Sequence, residues 1–290
     1  MPLAIVTDST CDLSAQELAD LTVQRVPLYV HFQGSTYKDW VEITPAELMR
    51  GIEGGADTPT TSQPTPEDFA DAYRQAVAGG ADEILVITIS QPLSGTYQSA
   101  TLAGKDAPAA VTVFDTRNAS IGAAMMVRRA AAMRDAGASL DEIVAALEAL
   151  RETMLLTFTV GTLDFLQKGG RIGRASALVG SLLNIKPLLT LDDGVVASSG
   201  RARGAKKALK EMVDRLVTHR EAHPEGDLVV AFIHIEDEAA ADRLRTAVQE
   251  AGLTFTDVGS YEMGAVIGVH VGPGTHGYYA AIDPKPELGM

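Results

Sequence analysis

The 290-residue chain predicts an α/β protein of two domains, a parallel-sheet α/β unit followed by an α+β unit. Three observations lead there. Short aliphatic runs alternate with amphipathic stretches through the first half, and after residue 160 the pattern gives way to Gly-rich turns between apolar pieces. Two hydroxyl-rich turns, TTSQPTP at residues 60–66 and ISQPLSGTYQSA at residues 89–100, flank a single predicted strand. The expected boundaries are 1–155 for the first domain and 156–283 for the second. Residues 284–290, with Pro284 and Pro286, read as a frayed tail.

Residues 3–7, 83–89 and 111–114 read as buried strands, and 14–21, 66–78, 94–102 and 120–136 as helices. This is the order of parallel strands joined by crossover helices. Each strand ends in a polar cluster: Asp8-Ser9-Thr10, then Ser90 to Thr96, then Asp115-Thr116-Arg117-Asn118. In an open parallel sheet these carboxyl ends share one edge, where ligands bind. No element is assigned between Leu21 and Thr60. A helix at 140–151 and a strand at 154–160 lead into the second unit. There the pattern gives a strand at 185–191, a helix at 204–219, a strand at 228–234, a helix at 238–251, and strands at 254–261, 266–271 and 278–282.

Composition narrows the function. A net charge of −14 opposes binding to nucleic acid or anionic membranes, and aromatics at 5% leave few platforms for stacking bases. One region runs against that charge. Between Lys168 and Lys210 nine basic residues face two acidic ones, Asp192 and Asp193, a local balance of +7. Cys11 is the only cysteine, which excludes an intrachain disulfide and fits a reducing cytosol. The N-terminal MPLAIVTDST lacks a charged region followed by a long apolar one, and no run is long enough to span a bilayer, so a cytoplasmic protein without a membrane segment is expected.

Motif searches remove further classes. Neither GxxxxGK[ST] nor GxGxxG follows a predicted strand, which leaves a nucleotide phosphate loop and a dinucleotide site unsupported. HExxH is absent, and the six histidines are read as offering no helical pair for a metal, so no cofactor or metal is expected. Asp8 and Asp115 are read as turn and cap residues at the crevice rather than Mg²⁺ ligands.

The hydroxyl turns remain. The first turn of a helix leaves backbone N–H groups unpaired, so Ser and Thr there either cap the helix or share those donors with a bound oxyanion. Thr61, Ser62, Ser94 and Thr96 form such a group, and several neutral donors suit a resident carboxylate. Ser94 as a nucleophile with His270 as base is the alternative, an acyl hydrolase. Pro92 and Leu93 precede that serine where a hydrolase elbow needs small residues. His270, in GAVIGVHVGPGT between Gly268 and Gly272, is either a satisfied core histidine at the end of a strand or part of a site. Arg171 and Arg174 of KGGRIGRAS are either structural or docking cations. Met125, Met126, Phe165, Leu166, Leu178, Leu182 and Leu183 are core residues or tunnel wall, and spacing alone does not separate the two.

DSTCDL after the first strand, TTSQPTP, ISQPLSGTYQSA, DTRNAS, GTLDFLQKGGRIGRASALVGSLLNIKPLL and GAVIGVHVGPGT together resemble the DegV family of fatty-acid-binding proteins, in motif order from Leu3 to about Ile282. The resemblance implies a two-domain α/β carrier, not itself an enzyme, that holds one long-chain fatty acid in a ligand cleft between its domains. Its carboxylate would be bound by hydroxyls matching Thr61 and Ser94, with His270 at the same group and Arg171 at the site or in docking. Ser62 and Gly95 of the same turns complete the expected ligand-binding set. The family further implies a separate fatty acid kinase as partner, which makes an acyl-phosphate for phospholipid synthesis.

Overall fold

A computed structural model describes residues 2–55, 58–180 and 185–283. The chain enters on β1 (Leu3–Asp8), turns through a short 3-10 segment, Ser9–Cys11, and α1 (Ala15–Asp20), and returns as β2 (Val23–Val26). A hairpin follows, β3 (Tyr29–Phe32) and β4 (Ser35–Lys38), then α2 (Pro45–Glu53) and β5 (Thr60–Ser62). Next come α3 (Pro66–Ala78), β6 (Glu83–Thr88), α4 (Thr96–Gly104), β7 (Ala110–Asp115) and α5 (Ile121–Asp135). These strands form a four-stranded sheet of order β2-β1-β6-β7, parallel throughout, and a small antiparallel sheet of order β4-β3-β5. The polar carboxyl ends of β1, β6 and β7 therefore share one edge.

The second half runs α6 (Leu140–Glu152), β8 (Leu155–Thr159), α7 (Asp164–Lys168), a 3-10 segment Gly173–Leu178, β9 (Ile185–Asp192) and β10 (Val195–Arg203). It continues through α8 (Ala205–Ala222), β11 (Asp227–His234), α9 (Glu238–Glu250), β12 (Thr256–Glu262), α10 (Ala265–Val271) and β13 (His276–Asp283). Its sheet has order β10-β9-β8-β13-β11-β12 and is antiparallel except for the parallel pair β11 and β12. The whole is an α/β fold of several sheets and helices. A buried ion pair between Arg129 of α5 and Asp283 of β13 joins the two halves.

Local sequence accounts for the helices. Ser14, Thr44, Thr65 and Ser139 each cap a helix reciprocally with an acidic residue three positions on, and Pro45 and Pro66 occupy first-turn positions where no N–H is missed. The exposed faces are charged, while Phe69, Ala72 and Tyr73 of α3 and Ile143, Leu147 and Leu150 of α6 turn inward.

Three expectations need correction. Residues 266–271 form the helix α10, not a strand. Alternating Val266, Gly268 and His270 mimic a strand, yet five of the seven residues of α10 are buried, so no polar face betrays the helical period. Thr60–Ser62 is an edge strand, and the cap of α3 is Thr65 rather than Thr61 or Ser62. Between Leu21 and Thr60 lie three strands of four residues and one helix, and strands that short carry too few alternations to read. β10, with its polar SSGRAR run, was likewise unassigned. Leu182, Leu183 and the tail 284–290 lie outside the described residues.

Candidate ligand-binding site

A cavity of about 320 Å³, within the usual range for small-molecule pockets of roughly 300–1,000 Å³, lies where elements of both halves meet. Leu156 and Phe158 of β8, Leu191 of β9, Val196 of β10 and Ile233 of β11 form one wall. Leu28, Ile89 and Leu93 stand in loops of the first half, and Val266 and Ile267 on α10. Most of the lining is thus aliphatic. Leu166 also lines it, whereas Met125 and Met126 are buried away from it.

Polar groups converge at one place. Thr61, Ser62, Ser94, Arg171 and His270 all line the cavity, and Gly95 does not. The pairing of β5 with β3 sets Thr61 opposite Val30, and its Oγ1 lies 2.8 Å from Nε2 of His270 in the last turn of α10. Ser62 Oγ is 3.0 Å from His31 Nε2. Ser94 Oγ is 2.8 Å from the Thr96 hydroxyl and does not bond His270. The helix it precedes, α4, has Gly95 at its N-cap and no side-chain cap, so the donors of that first turn are not taken by a serine or threonine.

Electrostatics at this end are unbalanced. Arg171 Nε donates to the Leu93 carbonyl at 3.1 Å and Nη1 to the Gly169 carbonyl at 2.7 Å, and among the described residues no carboxylate pairs with it. Burial, and then the nearby Arg171 charge, push the His270 pKa down to about 4, so its ring is neutral at pH 7. Its Nδ1 is buried without a hydrogen-bond partner. The Gly-rich run before Arg171 has a steric cause, since a Cβ on Gly169 would fall 2.3 Å from His270 Nδ1. Gly95 acts similarly on Gln63: a Cβ there would lie 2.2 Å from Gln63 Oε1, and Gln63 Nε2 instead reaches Ser99 Oγ at 3.2 Å.

The strand-end aspartates are occupied by backbone. Asp8 accepts from Thr10 N at 2.9 Å and from Ile89 N at 2.7 Å, while Asp115 accepts from Gln91 N and Arg117 N. No group of three or more His, Cys, Asp or Glu among the described residues is placed to hold a metal. His219 and His223, at the end of α8, do stand as neighbours one helical turn apart, with ring centroids 4.6 Å apart. His223 Nδ1 instead meets the His219 carbonyl at 3.0 Å. In the basic stretch Arg174, Lys207 and Lys210 each pair with an acid. These are surface pairs of small worth, yet they leave the stretch less cationic than its sequence reads. Among the described residues no helix is long and apolar enough to cross a membrane.

Several residues of the site escaped sequence reasoning. Gln63, inside TTSQPTP, lines the cavity, as do Ser120 and Tyr279. Asp12 and Asp39 lie behind it, fully buried, and accept from Gly264 N and Val266 N at the start of α10. Burial raises the Asp12 pKa to about 8 and that of Asp39 to about 7. Only a three-dimensional arrangement reveals these two, because they lie 252 and 227 residues before their partners.

Fold and site define a class: an α/β protein whose sheets and helices enclose an apolar cavity ending in hydroxyls, a neutral imidazole and a guanidinium that meets no carboxylate among the described residues. A family model described as "Uncharacterised protein, DegV family" matches residues 2–283, and the chain belongs to the DegV family. A DegV family protein from Thermus thermophilus, whose structure is described as showing fatty acid binding, is 47% identical; the match covers 98% of this chain and all of that one, with a TM-score of 0.93. A DegV lipid-binding protein from Thermotoga maritima is 34% identical over 97% of this chain and 99% of its own, with a TM-score of 0.84. The DegV domain-containing protein of Deinococcus radiodurans is 46% identical over 284 residues, 98% of this chain and 99% of its own.

Proposed function

We propose that this chain binds one long-chain fatty acid in the cavity, between an N-terminal and a C-terminal domain, and holds its carboxylate at the Thr61, Ser94 and His270 end. Ser62 stands beside it, Gly95 keeps Gln63 in place, and Arg171 supplies the countercharge. The observation that carries this reading is Arg171, a half-buried guanidinium with no acidic partner among the described residues, at the polar end of an otherwise aliphatic cavity. A charge so placed is stabilised by an anion, and an aliphatic cavity selects an anion with an aliphatic tail. The names of the relatives support the same ligand.

Hydrogen-bond order follows from the neutral imidazole. With the proton on Nε2, His270 donates to Thr61 Oγ1, and the Thr61 hydroxyl proton is free to donate to the carboxylate. Two or three charge-assisted bonds then replace the water that a buried carboxylate gives up. The tail contributes more. About fourteen methylenes at roughly 0.8 kcal/mol each give on the order of 11 kcal/mol, from which association subtracts several.

In this reading the protein is a cytoplasmic carrier rather than an enzyme, and a separate fatty acid kinase phosphorylates the carboxylate it presents for phospholipid synthesis. The absence of a phosphate-binding loop motif from the sequence supports that division. Native mass spectrometry of the purified protein tests the binding step. A stoichiometric long-chain fatty acid is expected. An empty protein that hydrolyses acyl esters, and loses that activity in Ser94→Ala, would replace the carrier with a hydrolase.

A further inference from the structure

Besides Thr61, Ser62 and Ser94 the cavity wall carries two more hydroxyls, Ser120 and Tyr279, each 2% exposed. Tyr279 stands on β13 between Leu156 of β8 and Ala231 of β11, and its ring lies against the first turn of α5, where a Cβ on Gly122 would be 2.4 Å from Cε1. Among the described residues no acceptor takes the phenol proton. Burial raises the phenol pKa, so that proton stays in place. Ser120, immediately before α5, is bonded through its hydroxyl to Oδ2 of Asp12 and keeps a lone pair as an acceptor. Its backbone is held at φ 52° and ψ −142°, outside the regions open to a side-chain-bearing residue, by a bond from its N–H to the Thr10 carbonyl at 2.7 Å.

The wall therefore offers one unused donor and one unused acceptor, from adjacent parts of the fold. An alkane satisfies neither, and a ketone satisfies only the donor. A hydroxyl satisfies both. We propose that Ser120 and Tyr279 form a recognition site for a hydroxyl group carried on the acyl chain, so that the cavity takes hydroxylated long-chain acids in preference to plain ones; this rests on the fatty-acid reading above.

The test is competitive loading of the full-length protein with equal amounts of stearic acid and one hydroxystearic acid, repeated for hydroxyl positions along the chain, with native mass spectrometry reading the ratio bound. For at least one position the hydroxy acid should be favoured by roughly tenfold to a hundredfold, the factor that corresponds to pairing one buried donor. Tyr279→Phe, which removes only the hydroxyl, should bring the ratio toward one. If that variant does not fold, Ser120→Gly, which suits the positive φ, reads the same ratio. A ratio at or below one for every position, or a preference that survives in the variant, overturns the proposal. Retention of neither acid overturns the fatty-acid reading itself and this site with it.

Discussion

Replacing Arg171 by Gln removes the guanidinium charge at the polar end and keeps part of the stem. In the protein as it stands, the guanidinium is fixed by the Leu93 and Gly169 carbonyls and has no acid beside it among the described residues. A hydrogen bond to a charged group contributes about 1.5–3 kcal/mol, so Arg171→Gln should weaken fatty-acid binding by roughly tenfold to a hundred-and-fiftyfold. Displacement of a fluorescent fatty acid measures that change. A second readout is independent of the ligand. Burial is the first cause of the low His270 pKa and Arg171 the second, so the pKa should rise in the variant but stay below 6.5. NMR titration of the imidazole follows it. Unchanged affinity together with an unmoved His270 pKa and a lower melting temperature would refute this reasoning and make Arg171 a strap for its own loop.

Three further outcomes are expected. Gly169→Ala sets a methyl 2.3 Å from His270 Nδ1, so the ring must shift and the Thr61 bond must lengthen; a stability loss of about 1–3 kcal/mol with weaker lipid retention is expected, and a variant with wild-type melting and lipid content contradicts it. His270 binds its proton less readily folded than unfolded, so its contribution is complete above about 6.5 and is lost as pH falls toward 4. The denaturant stability of wild type minus that of His270→Asn should therefore fall by up to about 3 kcal/mol over that window, and a flat difference removes the claim of a neutral buried ring. Asp12 has the opposite sign: its folded pKa of about 8 lies above the unfolded value, so its contribution is present at acid pH and lost as pH rises through 8. Asp12→Asn should flatten that slope and keep the Trp40 and Gly264 bonds, whereas Asp12→Ala strands those buried donors at roughly 1–3 kcal/mol each; an Asn variant with the wild-type slope would show that Asp12 does not titrate there.

What the sequence made legible was whatever carries a long period or a local cap. The helix at residues 66–78 has Thr65, Pro66 and Asp68 at its start and an amphipathic face, and its bounds agree with the structure. The helix after β6 was placed two residues early, because Ser94 looks like a cap and the N-cap is Gly95. α10 was misread because its burial is nearly complete, which erases the difference between periods of 2 and 3.6. In the site, Thr61, Ser94, Arg171 and His270 were legible as donor types within Gly- or hydroxyl-rich turns. Ser120 was noticed only as a helix start and Tyr279 only as part of a strand, since a lone hydroxyl beside an apolar run carries no local signal of a cavity.

The helix α10 explains why the polar end needs the whole chain. Its first turn is held by Asp12 and Asp39, which follow β1 and β4, and its last turn by Thr61 of β5. From there the chain runs directly into β13, at the middle of the six-stranded sheet. Among the described residues that line this end, Arg171 and His270 come from the second half of the chain and Thr61 and Ser94 from the first. An excess positive charge with a neutral imidazole on one side and uncharged donors on the other is an arrangement that each half leaves incomplete. Any movement that parts the halves must break the Thr61–His270 bond and the bonds from α10 to Asp12 and Asp39, together with the Arg129–Asp283 ion pair. In the proposed fatty-acid reading, a ligand anchored at Thr61 and His270 opposes that parting.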